Sequence, residues 1–285
     1  MNYLVFPHLG LGDQLIMNGY IHFLLKTQSP NKIKIIAYDN YQRKTLLHLY
    51  SDISKVEFLW IEHPKGISSE FLQSINGKPF LSSVEIQGEE YKLLNFGVHS
   101  QFRSAYSGKN SWADSFYIQG QLDPSYRFSH FTLPANMSNA DALYKRIVDK
   151  VGTKYVLVND EPKTNRYLNG TLIKALLDKS RNSHLPVLYL GLDRYKYPLK
   201  DELNNIDVSS ELTCDSMLNL WKLIENATEC HFMDSSIACM TDLMKKSTSI
   251  VHLHQYASGF VDINLTPNPT VFVNRNWIIW YKDTF

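Results

Sequence analysis

Only three of the 285 residues are cysteine, Cys214, Cys230 and Cys239, and none stands in a Cys-x-x-Cys pair. So sparse and odd a set excludes a disulfide framework and a cysteine-based zinc centre. Buried structural thiols are the expectation for all three. No run reaches the roughly 20 apolar residues of a membrane-spanning helix. The first residues show neither the basic start nor the small-residue cleavage pattern of a secretory signal, so a cytoplasmic protein is expected. In that compartment the Asn-x-Ser/Thr matches at Asn136, Asn169, Asn226 and Asn264 are accidental. An excess of charge of one sign is lacking as well: 29 basic against 28 acidic residues leave a formal net charge of +1. Without a global field, nucleic acid is not an expected partner. Also missing are Asp-x-Asp, which would place two carboxylates to hold Mg²⁺ or Mn²⁺ on a diphosphate, the Walker A loop, Gly-x-Ser-x-Gly and His-Glu-x-x-His.

What is present is ample material for folded cores: 44% hydrophobic and 13% aromatic residues, with 20% charged. The length favours about two compact domains. Tyr3 to Phe6 reads as a short apolar strand, and Ile16, Tyr20, Phe23 and Leu24 recur at helical spacing after it. Ile33 to Ala37 and Val56 to Ile61 read as further strands, with a helix from Tyr41 to Tyr50 between them. This strand–helix alternation predicts a parallel, doubly wound sheet. A short helix around Phe71 and Ile75 and a strand from Tyr91 to Phe96 complete the half. Residues 97–134 carry Phe102, Tyr106, Trp112, Phe116, Tyr117, Tyr126, Phe128 and Phe131 in a Ser- and Gly-rich setting. That stretch reads as an irregular crossover packed on the domain, which could also offer rings to a sugar.

A polar break at Pro134 to Asn139 places the boundary, giving an N-terminal Rossmann-like domain over 1–136 and a C-terminal one over 137–285. After a helix from Ala140 to Val151, strands are expected at Tyr155 to Val158, Pro186 to Leu190, Glu229 to Met233 and Ser249 to His254. Helices are expected at Thr171 to Ser180, after an N-cap at Asp215, and at Ile237 to Lys245. The tail Asn276 to Tyr281 reads as an aromatic helix that could fold back on the first domain.

The richest segment for chemistry is His8-Leu9-Gly10-Leu11-Gly12-Asp13-Gln14, a glycine-bearing turn from the first strand into the first helix. Such turns lie at the carboxyl end of the sheet, where ligands bind and helix N–H groups are free. The dinucleotide fingerprint would need a third glycine, and Leu15 stands there. Asp39, at the end of the second strand, could still bind a ribose, so an NAD(P)-dependent oxidoreductase using Gly10 and Gly12 is one reading. Asp13 has a plain reading as a helix cap and a chemical one as general base for a hydroxyl nucleophile, with His8 second in line. In the other half, three strand ends deliver loops to one side: Asn159 to Arg166, Gly191 to Arg194, and Asp234 to Ser236. Lys163 and Arg166 could neutralise a diphosphate, and Ser235 and Ser236 open a helix able to bind its oxygens. A diphosphate site of this kind needs no metal.

Taken together, Gly10-Leu11-Gly12-Asp13-Gln14 with Asn18-Gly19, and His231-Phe232-Met233-Asp234-Ser235-Ser236-Ile237-Ala238, resemble heptosyltransferase-like and fucosyltransferase-like glycosyltransferases of bacterial and large-virus glycan pathways. The resemblance implies the GT-B architecture, two Rossmann-like domains facing across a cleft. It implies transfer from a UDP- or GDP-linked sugar to a hydroxyl of a glycan or glycoconjugate, without metal and with inversion. Asp13, with His8, would be catalytic; Gly10, Gly12 and Gln14 would form the acceptor-side loop. Asn159, Lys163, Arg166, Gly191, Asp193, Asp234, Ser235 and Ser236 would bind the donor. Ala238 and Cys239 depart from the family, whose members commonly carry His after the Asp-Ser turn. A non-catalytic nucleotide-sugar-binding module would share the same features.

Overall fold

The computed structural model describes residues 1–62, 70–96, 112–159, 185–189, 216–233, 235–244, 250–255 and 277–281. Its contacts divide the chain into two compact units that change over between Ala135 and Asn136. In the first unit the described elements are β1 (Asn2–Phe6), α1 (Leu11–Ile16), α2 (Asn18–Thr27), β2 (Lys32–Tyr38), α3 (Gln42–Leu49), β3 (Val56–Ile61), α4 (Glu70–Asn76), β4 (Ser83–Ile86), β5 (Glu89–Asn95), α5 (Trp112–Gln119) and α6 (Tyr126–Ser129). The second holds α7 (Ser138–Val151), β6 (Val156–Asn159), β7 (Val187–Tyr189), a 3₁₀ turn (Met217–Leu220), α8 (Trp221–Asn226), β8 (Glu229–Met233), α9 (Ser236–Leu243), β9 (Ile250–Gln255) and β10 (Ile278–Tyr281).

The first sheet has the order β3-β2-β1-β5-β4, parallel except for the edge strand β4, which pairs antiparallel with β5. Chain progression reverses between β1 and β5, and such a switch point opens a crevice at the carboxyl ends of the strands. The second sheet runs β10-β9-β8-β6-β7, all parallel, and reverses between β6 and β8. Both units are therefore Rossmann-like, as the alternating pattern predicts. One face of the first sheet buries Leu4, Phe6, Ile36, Tyr38 and Leu93 against Leu72 and Ile75 of α4. Asn95, fully buried at the end of β5, turns its side-chain amide to the carbonyls of Ile75 and Asn76 at the end of α4 and of Lys78 just beyond it, meeting two of that helix's orphan C-terminal groups.

The sequence expectations need correction at several points. The first helix is two, interrupted at Met17. Gly19 permits a close approach there: a Cβ on it would lie 2.7 Å from Tyr117 Oη and 2.8 Å from the Tyr126 carbonyl. The stretch read as irregular contains α5 and α6, whose Phe116 and Tyr117 are wholly buried. Tyr117 donates to the Ile16 carbonyl at 2.7 Å, so this ring is packing material and not a sugar platform. The 3₁₀ turn is capped by Ser216, whose hydroxyl accepts from the Leu218 amide at 3.3 Å; Asp215 and the helix expected over 171–180 lie outside the described residues. The tail is strand β10, parallel to β9, and not a helix. Its β-branched Ile278 and Ile279 and its rings suit an extended sheet position. Cys230 and Cys239 are buried, as expected of structural thiols; Cys214 lies outside the described residues.

Candidate functional site

At the carboxyl end of β1 the chain turns tightly, with the Gly10 amide donating to the His8 carbonyl at 2.6 Å, and then enters α1. Gly10 is the N-cap and offers no side chain to the helix; Asp13 is the third helical residue, an acid in the first turn and not the N-cap itself. Its carboxylate lies in the first turn of α1, where an acid suits the helix dipole. Oδ2 lies 3.3 Å from His8 Nδ1, with the two side chains 15% and 31% exposed. Burial alone would lower the His8 pKa, but the hydrogen bond to Asp13 and that residue's charge outweigh it and leave His8 above its ordinary value. An imidazole and a carboxylate thus lie within hydrogen-bond distance at the switch point of the first sheet, within reach of solvent.

The turn is held from behind. Gln42, buried on α3, donates to the Leu9 carbonyl at 3.3 Å. Gln14, expected on the acceptor-side loop, turns inward: it is 1% exposed and donates to the Ile36 carbonyl within β2 at 3.0 Å. Gly12 is the second residue of α1. Asp39, the ribose-binding candidate of the oxidoreductase reading, accepts from Arg43 Nη1 at 2.6 Å across one helical turn.

The second sheet brings two of the expected donor residues together at its own switch point. Asn159 ends β6, and Ser235 follows β8. The Ser235 hydroxyl lies 3.5 Å from Asn159 Oδ1 and accepts from the Ala238 amide at 3.4 Å, so Ser235 is the N-cap of α9. Ser236 is the first helical residue. Lys163, Arg166, Gly191, Asp193 and Asp234 lie outside the described residues.

One group was not found from sequence spacing. Glu229 and His231 of β8 and His252 of β9 bring one ligand atom each into a set no more than 4.8 Å apart. The register pairs His231 with His252 directly. A signal for it existed in the alternation Glu229-Cys230-His231, which puts the acid and the imidazole on one face of a strand. Only strand pairing supplies the third residue.

No protein-family model matches the sequence, and no curated protein does. Solved structures do. The chain superposes on a glycosyl transferase family 9 structure from Veillonella parvula with a TM-score of 0.57 at 11% identity, covering 98% of this chain and 86% of that one. The heptosyltransferase WaaC of E. coli, solved with ADP, gives a TM-score of 0.48 at 9% identity, with 99% and 91% of the two chains covered. The fucosyltransferase NodZ from Bradyrhizobium gives 0.42 at 12% identity, with 85% and 93% covered. At such identity the first likeness is one of fold: this chain has the pair of Rossmann-like units of the family 9 structure. The motifs quoted above point to the same class of fold.

Proposed function

We propose that the protein is a glycosyltransferase that moves a sugar from a nucleotide-sugar donor to a hydroxyl of a glycan or glycoconjugate acceptor. The single observation that carries this reading is the His8–Asp13 pair. A carboxylate in the first turn of α1, hydrogen-bonded to an imidazole and kept within reach of solvent, lies just past the carboxyl end of β1. In a glycosyltransferase-like fold, a carboxylate so placed is suited to take the proton of an incoming hydroxyl, and His8 to orient it. The donor belongs with the second unit, at the β6/β8 switch point marked by Asn159 and Ser235, with Lys163 and Arg166 offsetting the charge of the departing diphosphate. In this reading the diphosphate needs no divalent metal, and direct attack by the acceptor inverts the anomeric centre.

The test is a thermal-shift panel of ADP-, GDP- and UDP-sugars beside NAD and NADP, followed by transfer assays on glycan acceptors with the wild type and Asp13→Asn. A shift with one nucleotide-sugar class is expected, with transfer falling about 10²- to 10⁴-fold in the variant while donor binding persists. Unchanged transfer would remove Asp13 as base. Stabilisation by the dinucleotides alone would favour the oxidoreductase. Donor binding with neither transfer nor donor hydrolysis across the acceptor panel would leave a binding module.

A further inference from the structure

β8 is the central strand of the second sheet, flanked by β6 and β9. Central strands of parallel sheets are covered on both faces and are built from Val, Ile and Leu. The opposite register of β8 follows that rule: Cys230 and Phe232 are wholly buried. The other register does not, carrying Glu229 and His231, with His252 beside them on β9.

All three side chains converge. His231 Nε2 lies 3.0 Å and His252 Nε2 2.9 Å from the same oxygen, Glu229 Oε1. The imidazoles are 2% and 3% exposed as residues. Their rings stack at 4.3 Å between centroids and 9° between planes, so both Nε2 atoms aim the same way. Burying two imidazoles in a sheet, beside a half-buried carboxylate, costs stability against the apolar residues usual there, and the cost is compensated only when each finds a strong partner. Each nitrogen lies about 3 Å from the carboxylate oxygen and all three ligand atoms lie within 4.8 Å of one another, close enough for one ion with metal–ligand bonds near about 2.1 Å to draw them together.

We propose that Glu229, His231 and His252 bind one divalent transition-metal ion of the zinc class. Two imidazoles and one carboxylate form a ligand set suited to Zn²⁺, Co²⁺ or Ni²⁺, and a poor one for Mg²⁺ or Ca²⁺, which take oxygen ligands. Binding needs each imidazole to present its Nε2 lone pair, with its proton on Nδ1, and the two stacked rings to turn from parallel until both lone pairs meet the ion. The site lies at the amino end of β8 and the middle of the strand, away from the carboxyl end whose loop carries Ser235. It therefore stands apart from the donor chemistry proposed above, and the ion's work is to clamp β8 to β9. Metal bound here would raise the stability of the second unit without being required for transfer.

The experiment is metal titration of the full chain after dialysis against a chelator, using Zn²⁺ and Co²⁺ with Mg²⁺ as control. Calorimetry and thermal unfolding are the readouts. One Zn²⁺ or Co²⁺ per chain is expected, with a Tm that climbs with ion concentration, no response to Mg²⁺, and at least a tenfold loss of affinity in Glu229→Gln and His252→Gln. X-ray absorption at the zinc edge on the loaded wild type makes the outcome independent of whether the variants fold: two imidazoles in the coordination shell are expected. Absence of stoichiometric binding by folded wild type would overturn the proposal. So would equal affinity in folded variants, or a shell with fewer than two imidazoles.

Discussion

Gly10 leaves the space that the Asp13 carboxylate occupies: a Cβ at position 10 would lie 2.7 Å from Asp13 Oδ2. Its φ of −73° is open to any residue, so the requirement for glycine here comes from close approach and not from backbone conformation. Gly10→Ala is therefore expected to leave the fold nearly intact, because a carboxylate can swing away, while displacing it from His8. Misplacement of a reacting group by about 1 Å costs up to about 100-fold. Transfer should fall by about that factor with little change in the urea midpoint, and an unaltered rate would separate the turn from the chemistry.

The His8–Asp13 pair also predicts a pH dependence of stability. Because the folded-state pKa of His8 is raised, the stabilisation from the pair is fully present below the unfolded histidine value of about 6.5 and is lost as pH rises through the folded value. His8→Gln should cost less than about 1 kcal/mol in mildly acidic solution, given the partial exposure of the pair, and almost nothing in alkaline solution. Urea unfolding of both proteins across that range checks the sign. A deficit that grows toward alkali would contradict it.

Gly19 is a different case from Gly10, since two of the three neighbours facing it are backbone atoms. A Cβ would lie 2.7 Å from Tyr117 Oη, 2.8 Å from the Tyr126 carbonyl and 3.0 Å from Arg127 Cα. Alanine within a helix normally gains up to about 1 kcal/mol over glycine. Here overpacking reverses the sign, and Gly19→Ala should destabilise by about 1–3 kcal/mol in chemical denaturation. A gain in stability would show that α5 and α6 can yield.

Arg127 is completely buried, and its guanidinium bonds the carboxylate of Asp114 on α5. Asp114→Ala leaves that cation in the interior without this partner, at a cost of about 3–5 kcal/mol. Replacing both residues, with Asp114→Leu and Arg127→Met, should restore much of the loss, since paired removal leaves no stranded charge. Equilibrium unfolding of the single and double variants distinguishes the two outcomes.

Local pattern carried much of the architecture. Period-two and period-3.6 runs located most of the strands and helices described, and the Asn159 and Ser235 loops were placed at the carboxyl ends where the structure has them. The misses share a cause. Residues 112–129 form helices whose rings serve the core, which the composition of a Ser- and Gly-rich stretch does not reveal. The tail is a strand because β9 offers it an edge, and a run of Trp and Ile is compatible with helix or sheet until that partner is known. Gln14 had the right address and the wrong direction, since spacing gives a residue's place on a helix but not which carbonyl its amide will meet.

The sequence by itself determined the α/β class and the turn that carries Asp13, because these follow from hydrophobic period and turn chemistry. Only the tertiary structure decided that Asp13 faces His8, that Asn159 meets Ser235 across 76 residues of chain, and that Glu229, His231 and His252 share one patch of sheet. Contacts of that kind depend on strand register and on which strand lies beside which, and register is set by the packing of the whole sheet and not by any local run of residues.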